Sequence, residues 1–406
     1  MGNKALKVYY CYTSGGTTSS SVQDKIASQI HALRAAGVDC RGVFFTTAVE
    51  QETPLGEAIT LLPVRHSTSR WFRPIDQAAI TLRTMDAWLQ AHAADADFIY
   101  LRYPGASAAL FRMAKRLGRK LISEHQGKEI IEILEAKGQH PFGLRPSKLL
   151  SWLLFRFLPI YNERRYGNRF AQRIGAIVTV THELAAYQRA KGCEKVTVIP
   201  NGIDTARFPV RNAPALGDHI NLLFLKGTST LASWNGLDRL IASIDAYHAQ
   251  RPETAHHFRI LICGKFMEGE IPTRDYIEHL GYLRGAELEA VFNRAHLAVS
   301  TLCSYRRGLE ESAILKTREY FARGIPFIFA YTDVDFDGSE AVRRNTLHFP
   351  NSDELMDMKA VEAFARDRMA DPQHPAAMHA WAETQLDYRI KMKKLRDFLL
   401  ELQQAS

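Results

Sequence analysis

The sequence lacks the features of a membrane-spanning or disulfide-bonded protein. No apolar run reaches the roughly 18 residues of a membrane span, and the first residues show no long apolar segment followed by a small-residue cleavage site. The cysteines have neither the paired spacing of a zinc site nor that of a disulfide framework; they are Cys11, Cys40, Cys193, Cys263 and Cys303. We therefore expect a cytoplasmic protein with reduced cysteines.

The length and composition predict more than one domain. The chain has 406 residues, of which 46% are hydrophobic and 24% charged, as in soluble globular proteins. A chain of this length usually forms two domains of about 150 to 200 residues each. The net charge of +8 is unevenly placed, because residues 101–200 hold 18 basic and only 7 acidic side chains. This excess suits an anionic membrane, nucleic acid or an anionic substrate.

Strand-like and helix-like segments alternate along most of the chain, which predicts parallel sheets covered by helices. The expected strands are 7–12, 41–46, 97–103, 120–124, 176–181 and 196–199 in the first half, and 220–225, 258–263, 297–301 and 327–331 in the second. The fold class is therefore α/β, with two Rossmann-like doubly wound domains facing a cleft. Ligands of such sheets bind at the carboxyl ends of the strands.

The predicted domain boundaries follow changes in this pattern. Residues 1–207 form an N-terminal domain, and 208–219, which contain two prolines and a glycine without periodicity, form a linker. Residues 220–385 form the second domain. Residues 386–406 are a C-terminal helix that is expected to cross back to the N-terminal domain.

One segment, GLEESAILKTREYFARGIPFIFAY at 308–331, places two glutamates eight residues apart. Residues 315–323 are helix formers without glycine or proline, a pattern that predicts a helix ending at Gly324. A short strand is expected after it. Glu311 would precede the helix and Glu319 lie within it, so that exposed amides at the helix start could bind a diphosphate between them. Alternatively, Glu311 is a solvated charge and Glu319 pairs with a neighbouring Lys or Arg.

Two stretches together carry a family resemblance. Residues 175–208 (GAIVTVTHELAAYQRAKGCEKVTVIPNGIDTARF) resemble the end of the first domain in retaining glycosyltransferases of the GT-B fold, family 4. The 308–331 segment resembles the Glu-x7-Glu signature of the same family. Glu319-Tyr-Phe-Ala-Arg-Gly-Ile-Pro matches the continuation of that signature.

The resemblance implies roles for several residues. Glu319 would hold the donor ribose, the amides near Ile314 and Leu315 the diphosphate, and Glu311 the transferred sugar, unless Glu310 replaces it through a one-residue slip. His125 would contact the donor sugar or, alternatively, is a satisfied histidine at a strand end. Further candidates are Gly15 and Gly16, in a glycine loop or a plain turn, and Gly227, at the front of the second domain.

The sequence also departs from the family pattern. The Arg and Lys that neutralise the donor diphosphate in the family correspond here to Thr228 and Asn235, which are uncharged. Another cation must then stabilise the leaving group. We favour Lys316, which follows the proposed phosphate amides, over Arg306 and Arg307.

The expected function is transfer of a sugar from a nucleotide-sugar to a glycan or lipid-linked acceptor, with retention, in surface polysaccharide synthesis. The alternative is a GT-B protein that binds a sugar nucleotide or glycan without efficient turnover. No cofactor or metal is expected, since Asp95-Ala-Asp97 has the form of a loop cap. Nucleic acid is not an expected partner, because no binding module accompanies the basic patch.

The basic excess includes a segment with membrane-binding character. Residues 151–170 combine Trp, Leu and Phe with four arginines. This composition fits either a helix at the inner face of an anionic membrane or a helix packed on the first sheet. The first alternative would make the protein a peripheral enzyme acting near a lipid-linked acceptor.

Overall fold

The computed structural model describes residues 5–14, 21–47, 56–68, 73–135, 153, 157–226, 233–250, 256–266 and 269–405. The chain divides into two compact units. Unit 1 comprises Met1–Pro200 and Tyr388–Ser406, and unit 2 comprises Asn201–Asp387. The division therefore falls before the predicted linker at 208–219, which belongs to unit 2.

Unit 1 is built on a seven-stranded parallel sheet with the strand order β3-β2-β1-β4-β5-β6-β7. The strands are β1 (Lys7–Ser14), β2 (Asp39–Thr46), β3 (Ile59–Pro63), β4 (Phe98–Arg102), β5 (Leu121–His125), β6 (Ala176–Thr179) and β7 (Val196–Val198). Central strands such as β1 are apolar on both faces, because helices cover both sides of a parallel sheet.

The helices of unit 1 connect these strands. They are α1 (Ser21–Ala35), α2 (Arg73–His92), α3 (Ala108–Leu117), α4 (Glu129–Glu135), α5 (Asn168–Ala171) and α6 (His182–Ala190), with a π-helical turn at Glu163–Gly167. Residues 157–162 are also helical and lead into that turn. The side chain of Ser107 caps α3 by accepting a hydrogen bond from the Leu110 amide at 3.1 Å.

The final helix, α13 (Tyr388–Gln404), belongs to unit 1. Its apolar residues recur every three or four positions, and Met392, Leu395 and Leu399 lie in the same core cluster as Val8 of β1. All four of these side chains are at most 1% exposed. The last helix therefore stabilises unit 1 by burying one apolar face.

Unit 2 contains a six-stranded parallel sheet with the order β10-β9-β8-β11-β13-β15 and a two-stranded sheet, β12-β14. The strands are β8 (His219–Leu225), β9 (His257–Cys263), β10 (Ile277–Gly281), β11 (Leu297–Val299), β12 (Glu311–Ser312), β13 (Phe327–Phe329), β14 (Thr332–Asp333) and β15 (Thr346–His348). Both units thus have the predicted Rossmann-like architecture.

The helices of unit 2 alternate with its strands. They are α7 (Leu237–Gln250), α8 (Gly285–Arg294), α9 (Leu315–Arg323), α10 (Glu340–Asn345), α11 (Met358–Met369) and α12 (His374–Gln385). Helix α9 has the predicted bounds. It ends at Gly324, whose φ of 73° is left-handed and whose added Cβ would lie 2.3 Å from the Cα of Pro375.

The strands that the sequence pattern missed lie at sheet edges. Strands β3, β10 and β15 are the outer strands of their sheets, and most of their residues are partly or fully exposed. An edge strand needs no continuous apolar run, so its sequence lacks the signal that identifies a buried central strand. None of the helices in the described residues is long and apolar enough to cross a membrane.

The predicted linker is irregular but firmly attached to unit 2. Arg211 is only 6% exposed. Its guanidinium donates hydrogen bonds to the carbonyl oxygens of Gly324 at 3.1 Å, Phe292 at 3.4 Å and His296 at 3.3 Å, and also to Ala295. Burial lowers the pKa of Arg211 to about 9. The prolines and glycine of 208–219 therefore reflect an irregular path rather than a free tether.

We predict that Arg211→Met destabilises the protein by about 2–4 kcal/mol, because several buried carbonyl groups lose their donor. The matched control is Arg207→Met, since Arg207 is exposed on the adjacent 3-10 turn. Urea unfolding followed by circular dichroism would measure both. Equal midpoints for the two variants would contradict a structural role for Arg211.

Candidate functional site

Several loops of unit 2 meet at the carboxyl ends of its central strands. Lys316, in the first turn of α9, donates a hydrogen bond from Nζ to the carbonyl oxygen of Leu225, the last residue of β8. Arg307 stacks on Trp234 at 4.2 Å from the ring centroid and reaches the Ser312 hydroxyl at 3.4 Å. The structure thus brings together the end of β8 and the segments 233–235, 304–307 and 311–316.

The start of α9 has the properties expected of an anion-binding helix terminus. Ile314 is the N-cap residue and offers no side-chain hydrogen bond, and the first turn contains no acidic residue. The amides that begin with Leu315 consequently lack an internal capping group. Together with the helix dipole, they favour a negatively charged ligand.

A buried arginine fixes this helix start. Arg318 has no exposed surface, and its guanidinium binds Asp333 through two nitrogens and Asp335 at 2.7 Å. Its Nε donates to the Asn201 carbonyl at 3.0 Å, while the Asn201 side-chain amide donates to the Ala313 carbonyl at 2.7 Å. The Asn-Gly-Ile-Asp turn is therefore joined to the loop that precedes α9. This function of Arg318 has no signal in the local sequence.

Glu319 lies inside α9, as predicted, and is half-buried. Its Oε1 accepts a hydrogen bond from Arg323 Nε at 2.8 Å, as the predicted alternative of a neighbouring ion pair requires. Burial raises the pKa of Glu319, and the charge of Arg323 opposes that shift. Arg323 also pairs with Glu289 at 2.5 Å.

The first glutamate of the signature lies in a short strand rather than in a loop. Glu311 begins β12, which pairs with β14 through Thr332 and Asp333. Glu310 is exposed, and its Oε2 accepts a hydrogen bond from Asn351 at 3.1 Å. Both glutamates therefore border the site, and which of them contacts a sugar stays a prediction.

Lys316 differs from the other cations near the helix start. Burial lowers the pKa of Lys316 to about 8. Among the described residues it has no carboxylate within ion-pair distance, whereas Arg306 pairs with both Asp238 and Asp353, and Lys226 pairs with Glu270 at 2.8 Å. The charge of Lys316 is therefore the least compensated of the three.

Only some of the other residues predicted to bind the donor are among the described residues. Asn235 ends a 3-10 turn, and its carbonyl accepts a hydrogen bond from the Leu302 amide at 3.2 Å. The next residue, Gly236, has a φ of 73°, and an added Cβ would lie 2.7 Å from Leu302 Cβ. Outside the described part of the chain are Gly227 and Thr228, and also Gly15 and Gly16 of the predicted glycine loop.

His125 is the last residue of β5 in unit 1 and is 3% exposed. Its Nδ1 lies 2.6 Å from Glu129 Oε1, and its Nε2 lies 3.1 Å from the Ser123 hydroxyl. The ring stacks on Tyr103 at a centroid distance of 4.2 Å. Locally, His125 is thus a satisfied strand-end histidine, and its contact with a donor sugar stays a prediction from resemblance.

Glu129 belongs to a buried network that sequence reasoning missed. Its Oε2 accepts a hydrogen bond from Lys191 Nζ at 2.8 Å, and Lys191 also pairs with Glu163 at 3.1 Å. Burial alone would raise the pKa of the Glu129 carboxyl. The interactions with His125 and Lys191 outweigh this effect and hold the pKa of Glu129 well below its usual range. An ionised Glu129 would orient the His125 ring through Nδ1. In the sequence, only the spacing of four residues between His125 and Glu129 could have indicated this contact.

The described residues contain no cluster of three or more His, Cys, Asp or Glu side chains that could hold a metal ion. Of the Asp-x-Asp pair, Asp97 accepts a hydrogen bond from the Lys7 backbone amide at 2.8 Å, and Asp95 pairs with the Lys7 side chain. These contacts use both carboxylates to fix the start of β1.

One family model matches part of the chain. A family model described as Glycosyltransferase Family 4 matches residues 26–207. No curated protein matches the chain. Residues 26–207 include most of unit 1 but stop short of the proposed donor site in unit 2.

Solved structures are similar over nearly the whole chain. A glycosyltransferase from Rickettsia africae ESF-5 has a TM-score of 0.60 at 12% identity, with 100% of both chains covered. WaaG, a glycosyltransferase involved in lipopolysaccharide biosynthesis, has a TM-score of 0.57 at 14% identity, with 97% of this chain and 99% of that chain covered. Anabaena HepE in complex with UDP-glucose has a TM-score of 0.57 at 12% identity, with 97% and 99% covered.

At identities of 12–14%, the structural similarity shows the fold alone. The match to the family model is a similarity in sequence over residues 26–207. Both agree with the parallel sheets of the two units and with the resemblance of residues 175–208. Residues 26–207 therefore match the model of glycosyltransferase family 4, and the two units have the GT-B fold.

Proposed function

We propose that this protein transfers a sugar from a nucleotide-sugar donor to a glycan or lipid-linked acceptor with retention of configuration. The observation that carries the proposal is the uncapped start of α9, with Lys316 in its first turn and Glu319 one turn later. This arrangement offers amides and a cation to a diphosphate and a carboxylate to ribose hydroxyls. The UDP-glucose complex of HepE supports a nucleotide-sugar as donor.

The proposed chemistry requires stabilisation of the leaving diphosphate. As the bond to the sugar breaks, negative charge develops on the diphosphate, and the α9 amides and Lys316 would stabilise it. The leaving diphosphate oxygen would accept the proton of the acceptor hydroxyl, which attacks from the same face. Retention then needs no nucleophile from the protein, and neither a cofactor nor a metal enters the scheme.

A second candidate function is donor binding without efficient turnover. Two observations favour it. Asn235 is uncharged at a position where the family has a cation, and Glu319 Oε1 already accepts a hydrogen bond from Arg323. A thermal-shift screen against UDP-, GDP-, ADP- and dTDP-sugars would identify the donor, because a bound ligand raises the melting temperature. Transfer or hydrolysis of that donor would distinguish the two functions.

We further propose that the enzyme works at the inner face of the cell membrane, in surface polysaccharide synthesis. Phe157 and Tyr161 are 58% and 57% exposed, and they lie one helical turn apart. Arg164 and Arg165 are exposed on the next turn. Aromatic side chains beside cations on one helix suit an anionic bilayer and would bring a lipid-linked acceptor close to unit 1.

We predict that Glu319→Gln weakens donor binding about ten- to hundredfold, because a charged acceptor of ribose hydroxyls is lost. Isothermal titration with the donor selected by the screen would measure it. Glu289→Gln is the matched control, since it breaks the other ion pair of Arg323 but leaves the Glu319 carboxylate. If the control weakened binding as much, the effect would come from Arg323 rather than from a ribose contact.

We predict that Lys316→Ala lowers kcat/KM about hundredfold, the usual effect of removing one group that stabilises developing charge. Lys316→Arg, which keeps the charge, should retain more activity. An unchanged kcat/KM in Lys316→Ala would reject this assignment.

The proposed use of Lys316 also has a pH signature. Because its pKa is lowered to about 8, Lys316 is charged below that pH and neutral above it. Affinity for the nucleoside diphosphate should therefore fall as the pH rises from about 7 to about 9. Lys316→Met should remove this dependence, and a dependence that survives in the variant would point to another group.

We predict that Phe157→Ser combined with Tyr161→Ser reduces flotation with anionic phosphatidylglycerol vesicles about tenfold or more, since two apolar side chains no longer insert. The matched control is Leu355→Ser, which removes a side chain that is 58% exposed in unit 2. Failure of the unsubstituted protein to bind anionic vesicles at low salt would remove the membrane hypothesis.

A further inference from the structure

A cavity of about 390 Å³ opens in unit 1 at the edge of the sheet opposite His125. Its lining includes Phe98, the first residue of β4, and Gly175 and Lys195, which directly precede β6 and β7. These positions are the amino ends of parallel strands, whereas His125 is at a carboxyl end. The two edges are separated by the five residues of β5, or about 15 Å.

Cations dominate the lining of this cavity. Lys115, Arg119, Arg173 and Lys195 line it together with a single acid, Glu194. All five side chains are exposed. Throughout the described ranges, the side chains of Arg119, Arg173 and Lys195 form neither an ion pair nor a hydrogen bond. With Glu194 as the one acid among four cations, the lining carries a net positive charge, which favours an anionic ligand.

The backbone fixes the segments that carry these cations. The Gly175 amide donates to the Leu121 carbonyl at 2.9 Å, and the Ile177 amide donates to the Lys195 carbonyl at 2.9 Å. A Cβ added to Gly175 would lie 2.0 Å from the Arg119 carbonyl oxygen. Only glycine therefore permits the close approach of the Arg119 and Arg173 segments, and the cavity is preformed.

We propose that this cavity binds a phosphate ester, with Arg119, Arg173 and Lys195 as its ligands. Arginine matches the geometry of phosphate oxygens through two nitrogens, and lysine adds a point charge. The volume lies within the range of small-molecule sites. The floor includes the buried apolar side chains of Phe98, Ile174 and Leu402, which suit the carbon portion of an ester. The phosphate belongs either to a soluble metabolite or to a phospholipid headgroup.

The test compares two triple variants that remove equal charge from unit 1. The cavity variant combines Arg119→Gln, Arg173→Gln and Lys195→Gln. The control variant combines Arg65→Gln, Arg112→Gln and Lys394→Gln, which are exposed, do not line the cavity and lie outside the 151–170 segment. Because all six side chains are exposed, both variants should fold, and their melting temperatures would verify this.

Equilibrium dialysis with glycerol 3-phosphate tests a soluble source, and flotation with phosphatidylcholine vesicles containing phosphatidate tests a lipid source. We expect the unsubstituted protein to bind at least one probe. The cavity variant should bind about tenfold or more weakly, because the loss of each of its three charges weakens binding by about two- to fivefold. The control should bind glycerol 3-phosphate as tightly as the unsubstituted protein does. Binding of glycerol 3-phosphate indicates a soluble ester, and binding of phosphatidate vesicles alone indicates a lipid.

Two results would overturn the proposal. One is that the unsubstituted protein binds neither glycerol 3-phosphate nor phosphatidate vesicles. The other is that the cavity and control variants lose binding equally, because the effect would then follow net charge and not the cavity. Neither result depends on sugar transfer, so the site is tested independently of the proposed enzyme activity.

Discussion

The buried guanidinium of Arg318 is the constraint on which the proposed donor site in unit 2 depends. A fully buried charge is tolerated only when it is paired and hydrogen-bonded, and Arg318 meets this condition through Asp333, Asp335 and the Asn201 carbonyl. These partners come from segments more than one hundred residues apart. The requirement to pair this one side chain thus fixes the turn at Asn201, strand β14 with the loop after it, and the start of α9 in one arrangement.

The same pairing determines which charges can serve a ligand. Three arginines of unit 2 form ion pairs with carboxylates, which neutralise most of their charge; they are Arg306, Arg318 and Arg323. Lys316 is held instead by a neutral carbonyl group, and burial without a described counter-charge keeps its pKa low. A diphosphate would supply the missing counter-charge. If unit 2 binds a diphosphate as proposed, uncharged residues at the positions of the family's cations are compatible with a site in which Lys316 gains the most from binding.

The sequence predicted those features that depend on local patterns. Central strands are buried on both faces and read as apolar runs, and the left-handed Gly324 marks the end of α9. The sequence pattern did not identify edge strands such as β3, because none of their residues is fully buried and they lack a continuous apolar run. Arg211 and Arg318 look like ordinary surface arginines in the sequence. Their burial depends on carbonyl and carboxylate groups that are distant in sequence, which no periodicity or spacing reports.

The basic excess of residues 101–200 acquires a more specific meaning from its distribution over unit 1. At the carboxyl edge of the sheet, Lys191 is neutralised by Glu129 and Glu163, and Lys128 by Glu183. At the amino edge and on the helix that contains Arg164, the cations are exposed. A charge excess serving the donor diphosphate would lie in unit 2. Its actual position therefore argues for partners that meet the surface of unit 1, and interactions of this exposed kind should weaken as salt shortens the range of electrostatic attraction.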